Sequence, residues 1–392
     1  MAVMTSRERV VRALNHQETD RVPVDIGGIY NLTTMHRDAY KNLKDYLGYK
    51  NDRVVISNIN SQSVFVDEYI RERFKADCYP IYLQGLVDSR VKLVKEENGD
   101  MWYPDIDWGM KWKCPFGGLY FDPVSPPLLG ATMDDIEKFP WPDPYEPWRV
   151  AGLKEKAKEI FENTGYALVA NGALGGGIYA PCQWIMGYEE FFIKMVSEPE
   201  LVTTLLEKVT QFQIGQWDAL LNEVGKYVQV VVMSDDLGTQ QYPLINPKMY
   251  REMIKPFHAK VASFIKSKAD VKIVYHCDGA VRDFLPDLIE IGIDAWNPVQ
   301  VTCNGLEDTA ALKKDFGDKL SFWGAACDSQ HVLVRKGPEE IREEVKRRIN
   351  DLAPGGGLVV SSVHNIQRDV PVENIVAFYD ALHEFGTAFY KR

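Results

Sequence analysis

The chain has 392 residues, 45% hydrophobic and 26% charged, a composition that supports a packed core and excludes an intrinsically disordered chain. Acidic residues outnumber basic ones by 56 to 45, and a net charge of −11 argues against a nucleic-acid partner, since it repels a phosphate backbone. There is no run of 18 apolar residues to span a membrane, and the N-terminal MAVMTSRERVVRALNHQETD is too charged for a signal peptide. Cys78, Cys114, Cys182, Cys277, Cys303 and Cys327 lack CxxC spacing and read as reduced thiols, so the expected location is cytoplasmic.

In chain order, TSRERVVRALNH (5–16) predicts an amphipathic helix capped by Thr5 or Ser6, and VPVDIGGI (22–29) predicts a strand. Helices are expected over 34–47 and 66–76, and CYPIYL (78–83) is a second strand. Between 89 and 130 the texture changes to alternation, with NGD (98–100) as a hairpin signal; this segment reads as an antiparallel β insertion. FPWPDPYEPW (139–148) is a loop.

From 150 onward strands and helices alternate. Strands are expected at 165–172, 227–236, 271–279, 293–298, 320–328 and 356–364. Helices fill 150–163, 188–224 with a break near Glu198 and Pro199, 247–267, 281–291, 306–316, 337–352 and 373–389. Short apolar runs bounded by Gly, Asp and Asn suit strands buried on both faces. Six such units and two earlier strands make eight, which favours a (β/α)₈ TIM barrel carrying the 89–130 insertion, as one domain over 1–392. The rival is an open doubly wound sheet, but no GxGxxG follows the first strand, and the glycine triplet at 175–177 lacks the rest of that fingerprint.

In a barrel, chemistry belongs at the C-terminal strand ends. Those ends carry Asn171, the pair Asp235 and Asp236, then His276, Cys277 and Asp278, then Trp296 and Asn297, Cys327 and Asp328, and finally Ser362 and His364. Each alone has a structural explanation: a strand-end Asp is often a helix cap, and a buried Cys is usually an apolar filler. Their convergence points to function, because crowded carboxylates raise one another's pKa and cost stability. Side chains alternate along a strand, so His276 and Asp278 share a face and Cys277 opposes them unless the strand has already broken. His276, Asp278 and His364 form a two-imidazole, one-carboxylate set with room for a fourth ligand. Zinc is the default ion, and iron or manganese also accept such a set.

Five segments resemble the uroporphyrinogen decarboxylase superfamily and, within it, the corrinoid-dependent methyltransferase branch. They are TSRERVVRALNHQETDRVPVD, SDDLGTQQYPLINPKMYREMIKPFH, YHCDG, WGAACDSQHVL and APGGGLVVSSVHNIQRDVPVENIVAFYDA. The resemblance runs from about residue 5 to 388 and implies a (β/α)₈ barrel with its cleft at the strand C-termini. The decarboxylases themselves carry an Arg-x-Ala-Gly-Arg segment whose arginines hold substrate carboxylates. Here VDIGGIYNLTTM, after Pro23, has no arginine, which argues against a porphyrinogen substrate. The methyltransferases typically hold zinc with His-x-Cys-Gly and a later Cys. Here Asp278 and His364 stand at those two thiolate positions, while Cys277 lies one residue out of register and is an alternative ligand.

The resemblance implies methyl transfer between a small-molecule donor, such as an aromatic methyl ether, and a corrinoid (cobalamin) cofactor. The chain has no Asp-x-His-x-x-Gly motif, so the corrinoid is expected to arrive on a partner protein or as the free cofactor. Asp236, with Asp235 beside it, is the candidate acid, base or orienting group. Asn171, Gln240, Tyr275 and Asn297 are candidate substrate contacts, with Trp296 and Trp323 as aromatic walls. The alternative is a metal-free decarboxylase using Asp236 as proton donor. The aromatic stretch 101–123 is a candidate lid or homodimer contact.

Overall fold

The computed structural model describes residues 3–29, 31–51, 53–84, 91–172 and 177–391. Seven parallel strands form one sheet, neighbours in space as in sequence: β1 (Cys78–Tyr82), β2 (Ala167–Asn171), β3 (Val230–Ser234), β4 (Lys272–His276), β5 (Ala295–Asn297), β6 (Ser321–Ala325) and β7 (Leu358–Ser361). The segment around Val24 takes the eighth place. Asp25 N–H donates to Val360 O at 2.8 Å and Val360 N–H to Pro23 O at 2.9 Å, joining this segment to β7. On its other side Asp77 N–H, just before β1, donates to Val24 O at 2.8 Å. The ring therefore closes as a (β/α)₈ barrel.

The strand expected at 22–29 is reduced to this single bridge. Asp25 Oδ1 accepts the Gly28 N–H at 2.7 Å, and Gly27 has a φ of 79°, so the chain turns as soon as it has crossed the sheet.

Side-chain alternation divides the apolar residues into two cores. Cys78, Val169, Val232, Val274, Ala295, Trp323 and Val359 pack together inside the ring. Their neighbours Leu168, Val231, Ile273, Trp296 and Phe322 pack outward under the helices. Both sets are buried, as the unbroken apolar runs require.

The helices follow local signals. Ser6–Leu14 is capped by Thr5 in a reciprocal capping box with Glu8, a feature worth about 1 kcal/mol. The 188–224 helix breaks where expected, into Tyr188–Ser197 and Pro199–Val224, with Pro199 at the first position of the second piece, where its missing N–H costs nothing. The insertion is a four-stranded antiparallel sheet of Val94–Lys95, Met101–Pro104, Lys111–Cys114 and Asp122–Val124. Its expected first residues, 89 and 90, and Gly175 and Gly176 of the glycine triplet lie outside the described residues. Sequence patterning passes over the small pair Ile56–Asn58 and Ser63–Val64 and the helices Met133–Lys138 and Tyr179–Met186, all short. Among the described residues no helix is long and apolar enough to cross a membrane.

Candidate metal centre

β4 carries Val274 inside the ring, and the two-residue period continues through His276 to Asp278 at the barrel mouth. His364 follows β7. The three side chains converge: His276 Nε2 lies 3.5 Å and His364 Nε2 3.7 Å from the same Asp278 Oδ2. All three ligand atoms fall within 4.8 Å of one another. These separations are long for hydrogen bonds. They approach the roughly 3.4 Å expected between ligand atoms that each stand about 2.1 Å from a tetrahedral ion. The donor set therefore fits a divalent cation.

The other nitrogen of each imidazole is held the same way. His276 Nδ1 is 2.6 Å from Asn297 Oδ1. Asn297 is its register partner on β5, and its Nδ2 donates to Trp323 O at 2.9 Å, which fixes the amide orientation. His364 Nδ1 is 2.5 Å from Asn365 Oδ1, and Asn365 Nδ2 donates to Ser63 Oγ at 3.2 Å. With Nδ1–H donating to an amide oxygen, each ring turns Nε2 to the shared space, and that nitrogen can bind an ion once any proton on it has left.

The electrostatics of the mouth are polarised. Burial disfavours the His276 imidazolium, but Asp278 first and Asp236 second outweigh it and push the pKa up to about 9. Asp278 is penalised by its protein surroundings, yet His276 and His364 hold its pKa below the usual carboxylate value. Asp236 goes the other way. Its side chain is exposed at the mouth, yet the crowding of protein around it and the Asp278 charge raise its pKa, against the opposing pull of His276 and His364. Asp236 Oδ1 also accepts the Asp278 N–H at 3.0 Å. Two adjacent carboxylates thus have pKa values driven apart, so at one pH one favours its proton and the other its charge.

Several expected site residues lie elsewhere. Cys277 points to the outer core; its Sγ accepts the Leu237 N–H at 3.3 Å, and burial raises its pKa well above the thiol norm, so it does not join the cluster. Tyr275, on the same outward face, is fully buried, with its hydroxyl 3.2 Å from His258 Nε2. Asp235 is buried too. Its oxygens accept the N–H groups of Ile178, Tyr179 and Ala180 at 2.7, 2.9 and 2.7 Å and meet His258 Nε2 at 2.8 Å, so it anchors a helix start. Asn171 is 2% exposed and ties the backbone carbonyls of Gly28 and Val169. Gln240 donates to Thr302 O at 2.8 Å and accepts from Gln300, standing behind the mouth. Asn297 braces His276 from a fully buried position. Trp296 and Trp323 are buried, their indole N–H groups donating to Cys277 O and Asp25 Oδ2.

A cavity of about 670 Å³ opens over Asp278 and His364. Its walls include Tyr120 and Leu119 from the insertion, and Gln300, which accepts the Gly279 N–H at 3.0 Å. Tyr120 hydroxyl donates to Asn365 Oδ1 at 2.8 Å, and its ring meets His364 edge-on at 6.4 Å between centroids. The insertion thus contributes directly to the mouth. Tyr120, Gln300 and Asn365 carried no signal of their own in the sequence; Asn365 was detectable only as the neighbour of His364.

The sequence profile described as Uroporphyrinogen decarboxylase (URO-D) matches residues 109–385, more than half of the chain. The chain belongs to the uroporphyrinogen decarboxylase family. Among curated relatives, the uroporphyrinogen decarboxylase of Aeromonas salmonicida is 25% identical over 295 residues, covering 70% of this chain and 76% of the relative. That of Psychromonas ingrahamii is 28% identical over 291 residues, covering 70% and 75%. Among solved structures, a methyltransferase from Methanosarcina mazei superposes with a TM-score of 0.66 over 97% of this chain and 99% of the other, at 16% identity, a likeness of fold. The chain is thus placed among enzymes of this family.

Proposed function

We propose that this family member is a corrinoid-dependent methyltransferase that moves a methyl group from a small-molecule donor, such as an aromatic methyl ether, to the cobalt of a cobalamin carried by a partner protein. The observation that carries this reading is the convergence of His276, Asp278 and His364 at the barrel mouth, with both Nε2 atoms facing Asp278. A decarboxylase of the porphyrinogen type has no evident need for two imidazoles and a carboxylate spaced for an ion. Zinc is the cation these residues suit by default. When bound, it supplies Lewis-acid stabilisation to the charge that develops on the leaving oxygen or sulfur.

The chain's own groups supply the rest. In the displacement the C–O or C–S bond would break with its electron pair staying on the heteroatom, and the partner-borne corrinoid in its Co(I) state would supply the electron pair that takes up the methyl group. Asn297 and Asn365 hold the two rings in the tautomer that faces the mouth. Asp236, with its pKa raised beside Asp278, would give a proton to the departing heteroatom. Tyr120 and Leu119 wall the cavity against water. The test is methyl transfer to cob(I)alamin, followed by its absorption change, across phenyl methyl ethers and methyl thioethers with zinc-loaded and chelated protein. Zinc-dependent turnover with any donor supports the reading; none with any donor removes it.

One observation favours a second reading. The raised pKa of Asp236 also suits a metal-free decarboxylase in which this residue protonates the carbanion left by CO₂. Carbon dioxide release from a carboxylated substrate by chelated protein would select it.

A further inference from the structure

At the foot of the barrel, where the strands begin, the helix Glu68–Arg73 carries Arg71, whose side chain is fully buried. Its guanidinium is fixed on several sides. Nη1 donates to Cys78 O at 2.9 Å, at the start of β1, and lies 3.4 Å from Ile26 O. Phe65 and Tyr79 pack against it, their ring centroids 5.1 and 4.8 Å from Cζ. The remaining edge, Nε and Nη2, is buried and has no hydrogen-bond partner. That edge carries two parallel N–H donors, the fork that takes the two oxygens of one anion.

Bulk water does not satisfy this edge, because both nitrogens are shut off from it. The carboxylates around it are committed elsewhere. Asp25 feels the Arg71 charge, but its oxygens are taken by Gly28 N–H, Thr33 Oγ1 and Trp323 Nε1 at 2.7, 2.8 and 2.9 Å. Asp77 is shared by Arg9 and Arg21 at 2.6 and 2.7 Å. Glu68 accepts the Tyr166 hydroxyl at 2.6 Å. A second cation worsens the balance. Half-buried Lys156 holds its Nζ 5.2 and 5.7 Å from the same Phe65 and Tyr79 centroids, and burial, then the Arg71 charge, lowers its pKa. A buried charge without a counter-charge is costly unless something pairs it. Arg71 also lines a cavity of about 560 Å³, whose walls include Glu68, Glu72 and the chain at 163–166.

We propose that Arg71 is the anchor of a second ligand site, at the foot of the barrel, which takes a small oxyanion, a carboxylate or a phosphate group, with the cavity as its way in and Lys156 as the second cation. Nε–H and Nη2–H donate in parallel to two of its oxygens, a pairing that the planar guanidinium makes and an ammonium does not. A neutral ligand leaves the two like charges unrelieved. The inference uses no residue of the mouth and stands whether or not the chain transfers methyl groups.

Calorimetric titration of the full chain, chelated so that no mouth cation competes, tests it at fixed ionic strength. The probes are inorganic phosphate and acetate, which separate the two anion classes, with acetamide as the neutral control. The expected result is saturable binding of at least one anion and none of acetamide. Arg71→Met should weaken that binding about tenfold or more. Lys156→Gln should weaken it about threefold, and His276→Ala, at the mouth, should leave it unchanged. Should Arg71→Met fail to fold, Lys156→Gln carries the test by melting: the Tm of the unaltered chain must climb with anion concentration, and climb less in that variant. No saturable binding of either anion, equal binding of acetamide, binding untouched by the Arg71 and Lys156 substitutions, or binding lost in His276→Ala would overturn the site.

Discussion

His276 Nδ1 sits 2.6 Å from Asn297 Oδ1, across one rung of the β4–β5 ladder. The sheet register itself therefore sets which imidazole nitrogen faces the mouth. Replacing Asn297 with Leu removes that brace while filling the space. Outer-sphere partners of this kind are worth about 10- to 100-fold in metal affinity. The expected outcome for Asn297→Leu is a zinc affinity weakened within that range, measured by competition with a chromophoric chelator. The same experiment on Asn365→Leu should weaken the site through His364.

The His276 pKa near 9 gives a proton-linked prediction. In the metal-free protein the ring is charged at neutral pH, and zinc must displace its proton. Zinc binding at pH 7 should release about one proton from His276, read as the buffer dependence of the calorimetric enthalpy, and affinity should climb until pH passes about 9. The sign for stability follows from a folded pKa raised above the unfolded value of roughly 6.5. Its stabilising contribution in the metal-free protein is complete below that unfolded value and disappears as pH rises through about 9. His276→Gln should flatten that part of the metal-free stability profile.

Cys277 and Asp235 are predicted to matter for folding and not for the ion. Cys277→Ala should leave the zinc stoichiometry unchanged and cost about 1 kcal/mol, since a small buried group is lost and the Leu237 N–H loses its acceptor. Asp235→Ala should be far more damaging, about 3 kcal/mol or more, because three helix-start N–H groups and His258 lose a buried partner together. Denaturant titration alongside elemental analysis separates the two effects.

Gly279 turns the chain after Asp278 with a φ of 94°, and a Cβ there would stand 2.3 Å from the Gly238 carbonyl carbon. Gly279→Ala must push apart the loops that carry Asp278 and Asp236. The expected outcome is a loss of zinc affinity larger than the loss of thermal stability, measured on the same preparation.

The barrel was legible because strands buried on both faces leave unbroken apolar runs, and the helices between them carry caps and breaks such as Thr5 and Pro199. The first strand was legible at 22–29 but its length was not, since its pairing shrinks to one bridge at Val24 before the chain turns. The two-residue period correctly grouped His276 with Asp278. Applied one residue further it would also have sent Tyr275 outward with Cys277, and separated Asp235 from Asp236. Tyr120 was not legible, because its contact with Asn365 joins positions far apart in the chain and depends on how the insertion folds back.

The central claim is that His276, Asp278 and His364 hold one catalytic cation. The most direct measurement is elemental analysis of protein stripped with chelator, reloaded with zinc and desalted, compared with His276→Ala, Asp278→Ala and His364→Ala. The account predicts about one ion per chain, lost in each variant while circular dichroism stays unchanged. Zinc retained equally by all three variants, or no retention by the unaltered chain, would contradict it.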